Sequence, residues 1–459
     1  MSARYPGGFI TKTPTAPTSL AAPGIWTLDQ AMQNQLAGNW PVPPIPIAYW
    51  IGRSTNASAS QFYGNGIVQD TSGNTYTAGY LTITNLTIFL IKFNSAGVIQ
   101  WQRNLTGTGN CFGWDLAIDS SNNVYVSGIS TNTNQEGVVA KYNSSGTLQW
   151  QKKIGTGGLS SDFRGIAVDS SSNSYGVGYA NSRAQIVKYN SSGTLQWQRK
   201  LNEVSAWYGA QVDSTAANVY VGGYYQTGAD DFGLIAKIDN SGTLQWQRSL
   251  GTAGRYTYIR GLGLDSSDNV YVVGRSGVGF GAESIIIAKY NSSGTIQWQR
   301  SLNSANAELG NSIAVDSSGN SYIGAYQNNT NEVIILAKYN SSGTIQWQRS
   351  ISSSGINVAV GGVGSVSLDS SLTLYVNGYT SQGGSDNQFF CKLPNDGSLT
   401  GTYSLSGTNY VYAASSLTDA AGTLTDAAGT RTEATTTFTD TTDTLTDAAT
   451  SSVTTITNL

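Results

Sequence analysis

Histidine is absent from this chain of 459 residues, and few of its side chains carry a charge. Asp, Glu, Lys and Arg together make up 11 % of the residues, and the formal net charge is -3. Without histidine, the chain lacks the commonest general base near neutral pH and the commonest metal ligand. So small a net charge gives no long-range attraction to nucleic acid. We therefore expect a protein that is not an enzyme, with no catalytic residue, no metal site, no cofactor and no nucleic-acid partner.

Long apolar runs are also missing from the sequence. No stretch approaches the roughly 20 apolar residues that span a bilayer, so we expect no membrane insertion. The first residues do not show the charged and then apolar pattern of a secretory signal. Two cysteines, Cys111 and Cys391, are too few for a disulfide framework.

The chain does contain a repeat, which two phrases mark. One phrase has the form Lys-Tyr-Asn-Ser-Ser-Gly-Thr-Ile-Gln-Trp, and its tryptophans recur every 47 to 52 residues at Trp101, Trp150, Trp197, Trp246, Trp298 and Trp347. The other has the form Asp-Ser-Ser-Gly-Asn-Ser-Tyr, with aspartates at Asp70, Asp119, Asp169, Asp213, Asp265, Asp316 and Asp369. A seventh lysine phrase, at Lys392, lacks the tryptophan. The aspartates, tyrosines and lysines all count seven units.

Each unit divides into four strands, a to d, by alternation and turn residues. In the sixth unit we predict strands over 312–316, 321–326, 333–339 and 344–350, with Asp-Ser-Ser-Gly-Asn and Asn-Ser-Ser-Gly as Asx-type turns. Four strands per unit at this period are typical of a propeller blade. The sequence therefore predicts an all-β fold, a seven-bladed β-propeller of four-stranded antiparallel blades.

Loop lengths distinguish the two faces of the predicted ring. The a–b and c–d turns are short and nearly constant, whereas the distance from Tyr to Lys across the b–c connection varies from 13 to 18 residues. The b–c and d–a loops share one face, which we call the loop face, and recognition usually resides in variable loops on a rigid scaffold. Aromatic residues near the d–a loops are the candidate ligand-binding residues: Phe112, Trp207, Tyr208, Tyr256 and Tyr258. For any single one of them, packing between blades is the competing interpretation.

Two further expectations follow from the ring. Trp50 stands 51 residues before Trp101 and resembles a strand d, so it is a candidate for the missing outer strand of the seventh blade. Cys111 and Cys391 fall in blades 2 and 7, with blade 1 between them, which is beyond the roughly 7 Å over which Cα atoms can be bridged. We expect two free thiols.

The blade phrases resemble the propeller repeats of bacterial and phage proteins over about residues 50–405, which implies the fold. The opening segment, with Gly24-Ile25-Trp26-Thr27-Leu28-Asp29-Gln30-Ala31 and Gly38-Asn39-Trp40-Pro41, resembles short N-terminal segments of structural proteins of tailed, marine phages. That resemblance implies an attachment arm, with Trp26 and Trp40 as candidate assembly residues and other virion proteins as partners.

Three regions result: an extended N-terminal arm with a short helix (1–45), the propeller (46–406) and a tail rich in Thr, Ala and Asp (407–459). The tail carries apolar residues with a seven-residue period, at Leu417, Leu424, Phe438 and Leu445. One apolar residue in seven argues against a coiled coil and favours a flexible or intertwined β-rich tail. Plain disorder remains the alternative.

Function is predicted as a non-enzymatic structural protein of a virion, a homo-oligomer in the particle, that displays the propeller for host-surface binding or decoration. Host-surface polysaccharide is the expected ligand class. The alternatives are a bacterial extracellular adhesin or carbohydrate-binding propeller and, less favoured, a polysaccharide-degrading enzyme. An enzyme needs convergent carboxylates, for which Asp230, Asp231 and Glu283 are too few.

Overall fold

The computed structural model describes residues 49–55, 61–131, 134–155, 160–279, 281–304, 306–328, 331–362, 364–382, 385–405, 408–421, 423, 425–428, 433–435, 439–442, 446–449 and 453–458. The chain divides into two units, Met1–Ala48 and Tyr49–Leu459, and every described residue belongs to the second. All regular structure in this described part is β-strand, as predicted. In the same part, no helix is long and apolar enough to cross a membrane.

Blades 1 to 3 each contain four consecutive antiparallel strands, in the order a, b, c, d. Blade 1 comprises β2 (Phe62–Gln69), β3 (Thr75–Thr82), β4 (Leu86–Phe93) and β5 (Ile99–Thr106). Blade 2 comprises β6 (Cys111–Ile118), β7 (Val124–Ser130), β8 (Glu136–Tyr142) and β9 (Leu148–Gly155). Blade 3 comprises β10 (Ser161–Val168), β11 (Ser174–Ala180), β12 (Arg183–Tyr189) and β13 (Leu195–Leu201).

Blades 4 to 6 repeat this order. Blade 4 comprises β14 (Ser205–Val212), β15 (Asn218–Thr227), β16 (Asp230–Asp239) and β17 (Leu244–Gly251). Blade 5 comprises β18 (Tyr256–Leu264), β19 (Val270–Gly277), β20 (Glu283–Tyr290) and β21 (Ile296–Asn303). Blade 6 comprises β22 (Ala307–Val315), β23 (Ser321–Asn328), β24 (Val333–Tyr339) and β25 (Ile345–Ser353). The a strands of neighbouring blades contact each other all the way round the ring.

Blade 7 takes its outer strand from the start of the propeller. Strand a is split into β26 (Asn357–Val360) and β27 (Val366–Leu368), and β28 (Leu374–Gln382) and β29 (Ser385–Leu393) follow. The fourth strand is β1 (Trp50–Thr55), which places Trp50 opposite Lys392. In the other six blades the repeat lysine is likewise paired with the repeat tryptophan, as Lys338 is with Trp347. The predicted ring closure through Trp50 is confirmed.

The tail adds one more strand to every blade and crosses the blades in reverse order. After the hairpin of β30 (Gly401–Leu405) and β31 (Thr408–Ala414), β31 pairs with the outer strand of blade 6. Successive tail strands then pair with blades 5, 4, 3, 2, 1 and 7: β32 (Thr418–Ala421), β33 (Thr425–Ala428), β34 (Glu433–Thr435), β35 (Thr439–Thr442), β36 (Thr446–Ala449) and β37 (Val453–Asn458). The seven-residue period of the tail therefore corresponds to the distance from one blade to the next, about 23 Å of extended chain.

Each a–b turn is organised by its repeat aspartate. In blade 6, Asp316 accepts hydrogen bonds from the amides of Ser318 and Asn320 at 2.9 Å, from the Asn320 side chain at 2.8 Å and from the Tyr322 hydroxyl at 3.2 Å. In blade 1, burial opposes ionisation of Asp70, but the equivalent hydrogen bonds outweigh it and lower the pKa of that carboxyl. The predicted Asx role of the repeat aspartates is confirmed.

Lysine, tryptophan and arginine side chains of the lysine phrases join one blade to the next, as the fifth blade shows. The Lys289 ammonium and the Trp298 indole both donate to the carbonyl of Ser341, at 3.4 and 3.1 Å, and the Arg300 Nε donates to that of Gly343 at 2.7 Å. Gly343 has φ +78°, and a Cβ there would lie 2.6 Å from the Trp298 ring, so only glycine fits this turn. The residues that recur in the repeat are thus the ones that form contacts between blades.

The hydrophobic core lies between the blades, where the b and c strands are buried on both faces. Val124–Ser130 is buried at every residue. Cys111 and Cys391 are both buried and no disulfide joins them, as the repeat spacing predicts. Burial raises the pKa of the Cys391 thiol, which keeps it protonated and unreactive at neutral pH.

Candidate functional site

Strand a of each of the first six blades carries a β-bulge at the same repeat position. The register against strand b shifts between Gly64 and Gly66 in blade 1, and equivalent shifts occur in the next five blades. The bulged residues lie five positions before the repeat aspartates: Asn65, Trp114, Arg164, Tyr208, Arg260 and Asn311. In blade 7 the two halves of strand a are separated by residues 361–365. A bulge redirects a side chain out of the regular alternation of the sheet.

The bulged residues all line one cavity of about 220 Å³, which we call the funnel. Its remaining lining residues come from the first part of strand a in blades 1 and 7, from the segment that follows it in blade 7, and from the ends of three b strands: Tyr63, Val360, Gly361, Gly362, Tyr80, Tyr326 and Tyr379. Strand a begins, and strand b ends, at the loop face. The funnel is therefore the mouth of the central channel on that face.

Aromatic rings form the wall of the funnel and join neighbouring blades. Tyr63 of blade 1 packs edge-on against Tyr379 of blade 7, with ring centroids 4.5 Å apart, and stacks on Tyr80 at 4.9 Å. Tyr80 in turn lies edge-on to Trp114 of blade 2 at 5.8 Å. Burial raises the pKa of Tyr80 to about 12, so its hydroxyl stays protonated. The wall thus presents ring faces and neutral hydroxyls, the groups that bind sugars by stacking and hydrogen bonding.

Two arginines enter the funnel through the bulges of blades 3 and 5. Arg164 lies over the Trp114 ring, 4.4 Å from the guanidinium carbon to the centroid, and its Nε donates to the buried carboxylate of Asp162. Arg260 lies over the Tyr208 ring at 4.7 Å. No aspartate or glutamate is among the residues that line the funnel. The described lining is therefore aromatic and cationic.

Carboxylates stand behind the tyrosines and accept hydrogen bonds from their hydroxyls. Tyr63 donates to Asp386, and Tyr379 donates to Glu332 at 2.9 Å. Burial, followed by the charge of Glu332 and this hydrogen bond, raises the pKa of Tyr379. These contacts fix the rings in place and occupy the carboxylates.

A second cavity of about 350 Å³ continues the central channel toward the opposite face, lined by the later residues of the a strands. One charged side chain, that of Asp115, is among its described lining residues. The Asp115 carboxylate accepts the amides of Leu116 at 2.8 Å and Ile166 at 3.2 Å. Burial nevertheless dominates and raises the pKa of Asp115 to about 7.

The aromatic residues predicted from the d–a loops occupy different environments. Tyr208 lines the funnel. Phe112 is partly buried and stacks on Trp114 at 5.6 Å, just outside the lining. Trp207 is 2 % exposed and belongs to the core between blades 3 and 4, because it precedes the bulge and points the opposite way.

Tyr256 and Tyr258 lie in strand a of blade 5 and are not among the described residues that line the funnel. Tyr256 donates to the carbonyl of Gly279 at 3.0 Å, and Tyr258 donates to Asp231 and packs edge-on to Tyr224 at 4.6 Å. Trp26 and Trp40, predicted for assembly, lie outside the described residues.

Sequence reasoning missed most of the funnel, including Trp114, Arg164 and Arg260. A usable signal was present in the repeat itself. Five residues before each aspartate, the seven units carry Asn65, Trp114, Arg164, Tyr208, Arg260, Asn311 and Gly364. Such chemical variety at one position, among nearly identical neighbours, indicates a surface that the fold does not constrain.

The acidic residues considered for catalysis do not meet in the funnel. Asp231 accepts the Tyr258 hydroxyl, and Glu283 lies 3.8 Å from Arg275. Within the described ranges, no group of three or more His, Cys, Asp or Glu side chains is placed to hold a metal ion. The geometry of the funnel suits stacking and charge recognition.

Comparisons with solved structures show resemblance in fold alone. The Dos1 propeller is 10 % identical, over 73 % of this chain and 93 % of that one, with a TM-score of 0.45. A polysaccharide lyase, an ulvan lyase bound to -[GlcA(1-4)Rha3S]-, is 11 % identical over 74 % and 96 %, with a TM-score of 0.45. The β-propeller domain of the Trilobed protease from Pyrococcus furiosus is 9 % identical over 72 % and 96 %, with a TM-score of 0.44.

Among curated proteins, none matches this sequence. The model of one protein family matches residues 135–375, which are 241 of the 459 positions and span blades 2 to 7. The chain therefore belongs to the family described as outer membrane protein assembly factor BamB.

Proposed function

We propose that this chain is a non-enzymatic structural protein of a virus particle that binds a host-surface polysaccharide in the funnel. One observation carries the binding role: the bulges of six blades turn side chains of four kinds (Asn, Trp, Arg and Tyr) into a shared cavity. The surrounding framework repeats almost unchanged from blade to blade. A scaffold with one variable ring of aromatic and polar side chains is suited to recognition.

The chemistry of the funnel favours a sugar as the ligand. Tyr208, Trp114 and Tyr80 offer ring faces. The side-chain amides of Asn65 and Asn311 donate hydrogen bonds to backbone carbonyls of the adjacent blades, at 2.7 and 2.9 Å. These hydrogen bonds keep the wall rigid. Aromatic side chains combine apolar area with few rotatable bonds, so they bind with a small loss of entropy.

The same chemistry supports binding without catalysis. Most glycoside hydrolases use two carboxyl groups that flank the scissile bond, roughly 5 to 10 Å apart. The described lining of the funnel contains no carboxylate, and Asp386, Glu332 and Asp231 each accept a tyrosine hydroxyl. We therefore assign the funnel to recognition.

The particle role is supported by the N-terminal resemblance and by the scaffold character of the fold. The segment that carries Trp26 and Trp40 resembles attachment segments of phage structural proteins. The family's description as an assembly factor is compatible with a protein that works by holding partners together. In this proposal the arm binds other virion proteins, and the loop face points outward.

The polysaccharide role is tested by measuring binding of the purified chain to a panel of bacterial surface polysaccharides. Tyr208→Ala and Trp114→Ala should each weaken binding about tenfold, the loss expected for one stacking ring. Tyr403→Ala is the matched control, because Tyr403 lies in β30 at the outside of blade 6. Equal binding by all three variants would contradict the funnel as the site, and cleavage of a bound polysaccharide would contradict the non-enzymatic role.

The particle role is tested by electron cryo-microscopy of the virion, with the chain identified by a tag after residue 459. Discs of the propeller's size on the particle surface, lost when residues 1–45 are deleted, are the expected result. Detection of the chain on a bacterial cell surface, and not in particles, would contradict the virion role and favour the adhesin alternative.

A further inference from the structure

Two arginines line the funnel and a third, Arg275, lies over Tyr258 beside it, and the three differ in their counter-ions. Arg164 is paired with Asp162, and Arg275 has a carboxylate oxygen of Glu283 at 3.8 Å. Among the described residues, Arg260 has no carboxylate within ion-pair distance and no hydrogen-bond partner for its Nε, which is buried. One cation in the wall of the funnel therefore has no anionic partner among the described residues.

The surroundings of Arg260 make this arrangement unfavourable when the funnel is empty. Its guanidinium rests on the Tyr208 ring at 4.7 Å, a contact that supplies attraction but no hydrogen bond. Burial, together with the positive charges of Arg275 and Arg164, lowers the pKa of Arg260. Arg260 is partly exposed to the funnel and its Nε is buried, and a guanidinium in such a place is suited to bind a carboxylate or phosphate through its donor groups.

Nearby carboxylates are held away from Arg260 by other contacts. Asp231 accepts the hydroxyl of Tyr258, Asp386 that of Tyr63, and Glu332 that of Tyr379. None of them lines the funnel. No described carboxylate is therefore placed to serve as the counter-ion of Arg260.

We propose that the ligand of the funnel carries an anionic group, a carboxylate or sulfate on a sugar, which binds the Arg260 guanidinium while the sugar ring lies against Tyr208. This inference rests on the proposed polysaccharide function and adds the charge of the ligand. Arg164 precedes Tyr208 in the repeat order and lines the same cavity, but its charge is paired with Asp162, so Arg260 is the cation that the ligand would meet. Guanidinium binds planar carboxylate and sulfate oxygens through two parallel N–H donors.

Inorganic sulfate is the first probe, because it tests the anion site without assuming any glycan. Sodium sulfate at low millimolar concentration should raise the melting temperature of the protein in a saturable way, relative to sodium chloride of equal ionic strength. Arg260→Met should abolish the saturable shift and raise the melting temperature of the ligand-free protein. Arg183→Gln, which removes a charge at the b–c turn of blade 3 outside the funnel, should behave as the wild type. No saturable shift in the wild type, or an unchanged shift in Arg260→Met, would overturn the proposal.

Oligosaccharides then separate the charge of the ligand from its sugar. The probes are a trigalacturonate, a sulfated carrageenan oligosaccharide and a neutral galactose trimer, measured by calorimetry. The charged sugars should bind at least about tenfold more tightly than the neutral one, and Arg260→Met should remove that difference. Preference for the carboxylated or the sulfated probe identifies the anion. Equal binding of neutral and charged sugars would overturn the anion site and leave the polysaccharide function standing. Sulfate binding without any sugar binding would support the anion site and contradict that function.

Discussion

Trp50 lies opposite Lys392 in the seventh blade, in the register that pairs Trp347 with Lys338 in the sixth. The first strand of the propeller is thus the last strand of its ring. Its other edge is covered by β37, so β1 lies between two partners. The ring is closed by main-chain hydrogen bonds from both sides of this one strand.

Removal of β1 should therefore open the ring, whereas removal of the residues before it should not. We compare chains that begin at residue 49 and at residue 56. The shorter chain leaves the edges of β29 and β37 unpaired, and it should melt at a lower temperature and show faster amide exchange in β28 and β29. The longer chain should match the full-length protein in both measurements. Equal protection of β29 in the two chains would show that β1 does not close the ring.

The reverse order of the tail strands predicts which blades depend on which part of the tail. A chain that ends at Ala428 keeps β31, β32 and β33 but loses β34 to β37. Outer-strand amides of blades 3, 2, 1 and 7 should then exchange faster, while those of blades 4, 5 and 6 stay protected.

Hydrogen exchange read by mass spectrometry resolves the outer strands β5, β9 and β13 from β17, β21 and β25. Uniform loss of protection in all blades, or no loss in any, would contradict the one-strand-per-blade arrangement. A chain that ends at Ala449, which loses only β37, should affect blade 7 alone.

Asp316 should be among the most sensitive polar residues of the propeller. Asp316→Ala removes four hydrogen bonds and leaves the buried Tyr322 hydroxyl without its acceptor. The expected loss is about 3 kcal/mol of the free energy of unfolding, measured by urea denaturation. Asn340→Ala is the control, because Asn340 accepts two amides in an exposed turn and should lose about 1 kcal/mol or less. A similar loss in both variants would contradict the special role of the buried aspartate.

The Asp115 carboxyl should make stability depend on pH. Because burial raises its pKa from 3.8 to about 7, the folded protein holds a proton between these values that the unfolded chain releases. Its contribution is fully present below the lower value and is lost as pH rises to the higher one, at no more than about 1.4 kcal/mol per pH unit.

Asp115→Asn cannot ionise and should lack this dependence. Differential scanning calorimetry at about pH 4.5 and about pH 8 should show the variant gaining stability relative to the wild type at the higher pH. A melting-temperature difference that is the same at both pH values would show that Asp115 ionises as freely in the folded protein as in the unfolded one.

Much of the fold was predictable because the same turn residues and strand alternation recur in seven units of the sequence. Turn residues and alternation placed the b and c strands of blade 6 within two residues of β23 and β24. Strand a was predicted to begin at Ser312 but begins at Ala307, because the bulge at Asn311 breaks the alternation that marks a strand. The β-bulges that place side chains in the funnel are therefore also the reason why the sequence pattern did not predict it.

The tail shows a second reason why prediction stopped short. Its seven-residue period was visible in the sequence, but a period alone does not show which strands the tail pairs with. The spacing between the outer strands of neighbouring blades explains the period as the distance from one blade to the next. In the same way, variation at one repeat position marks Arg260 in the sequence, but its lack of a counter-ion does not show there, since that is a property of residues from several blades brought together.

The position of β1 also affects how the chain folds during translation. This strand leaves the ribosome before the rest of the propeller, yet its partner β29 follows only after six blades have been made. The strand that covers its other edge, β37, emerges later still. At roughly 5 to 20 residues per second, β1 waits tens of seconds with both edges open. Chaperone capture of nascent chains should therefore be concentrated on this interval, and it should end when the tail has passed all seven blades.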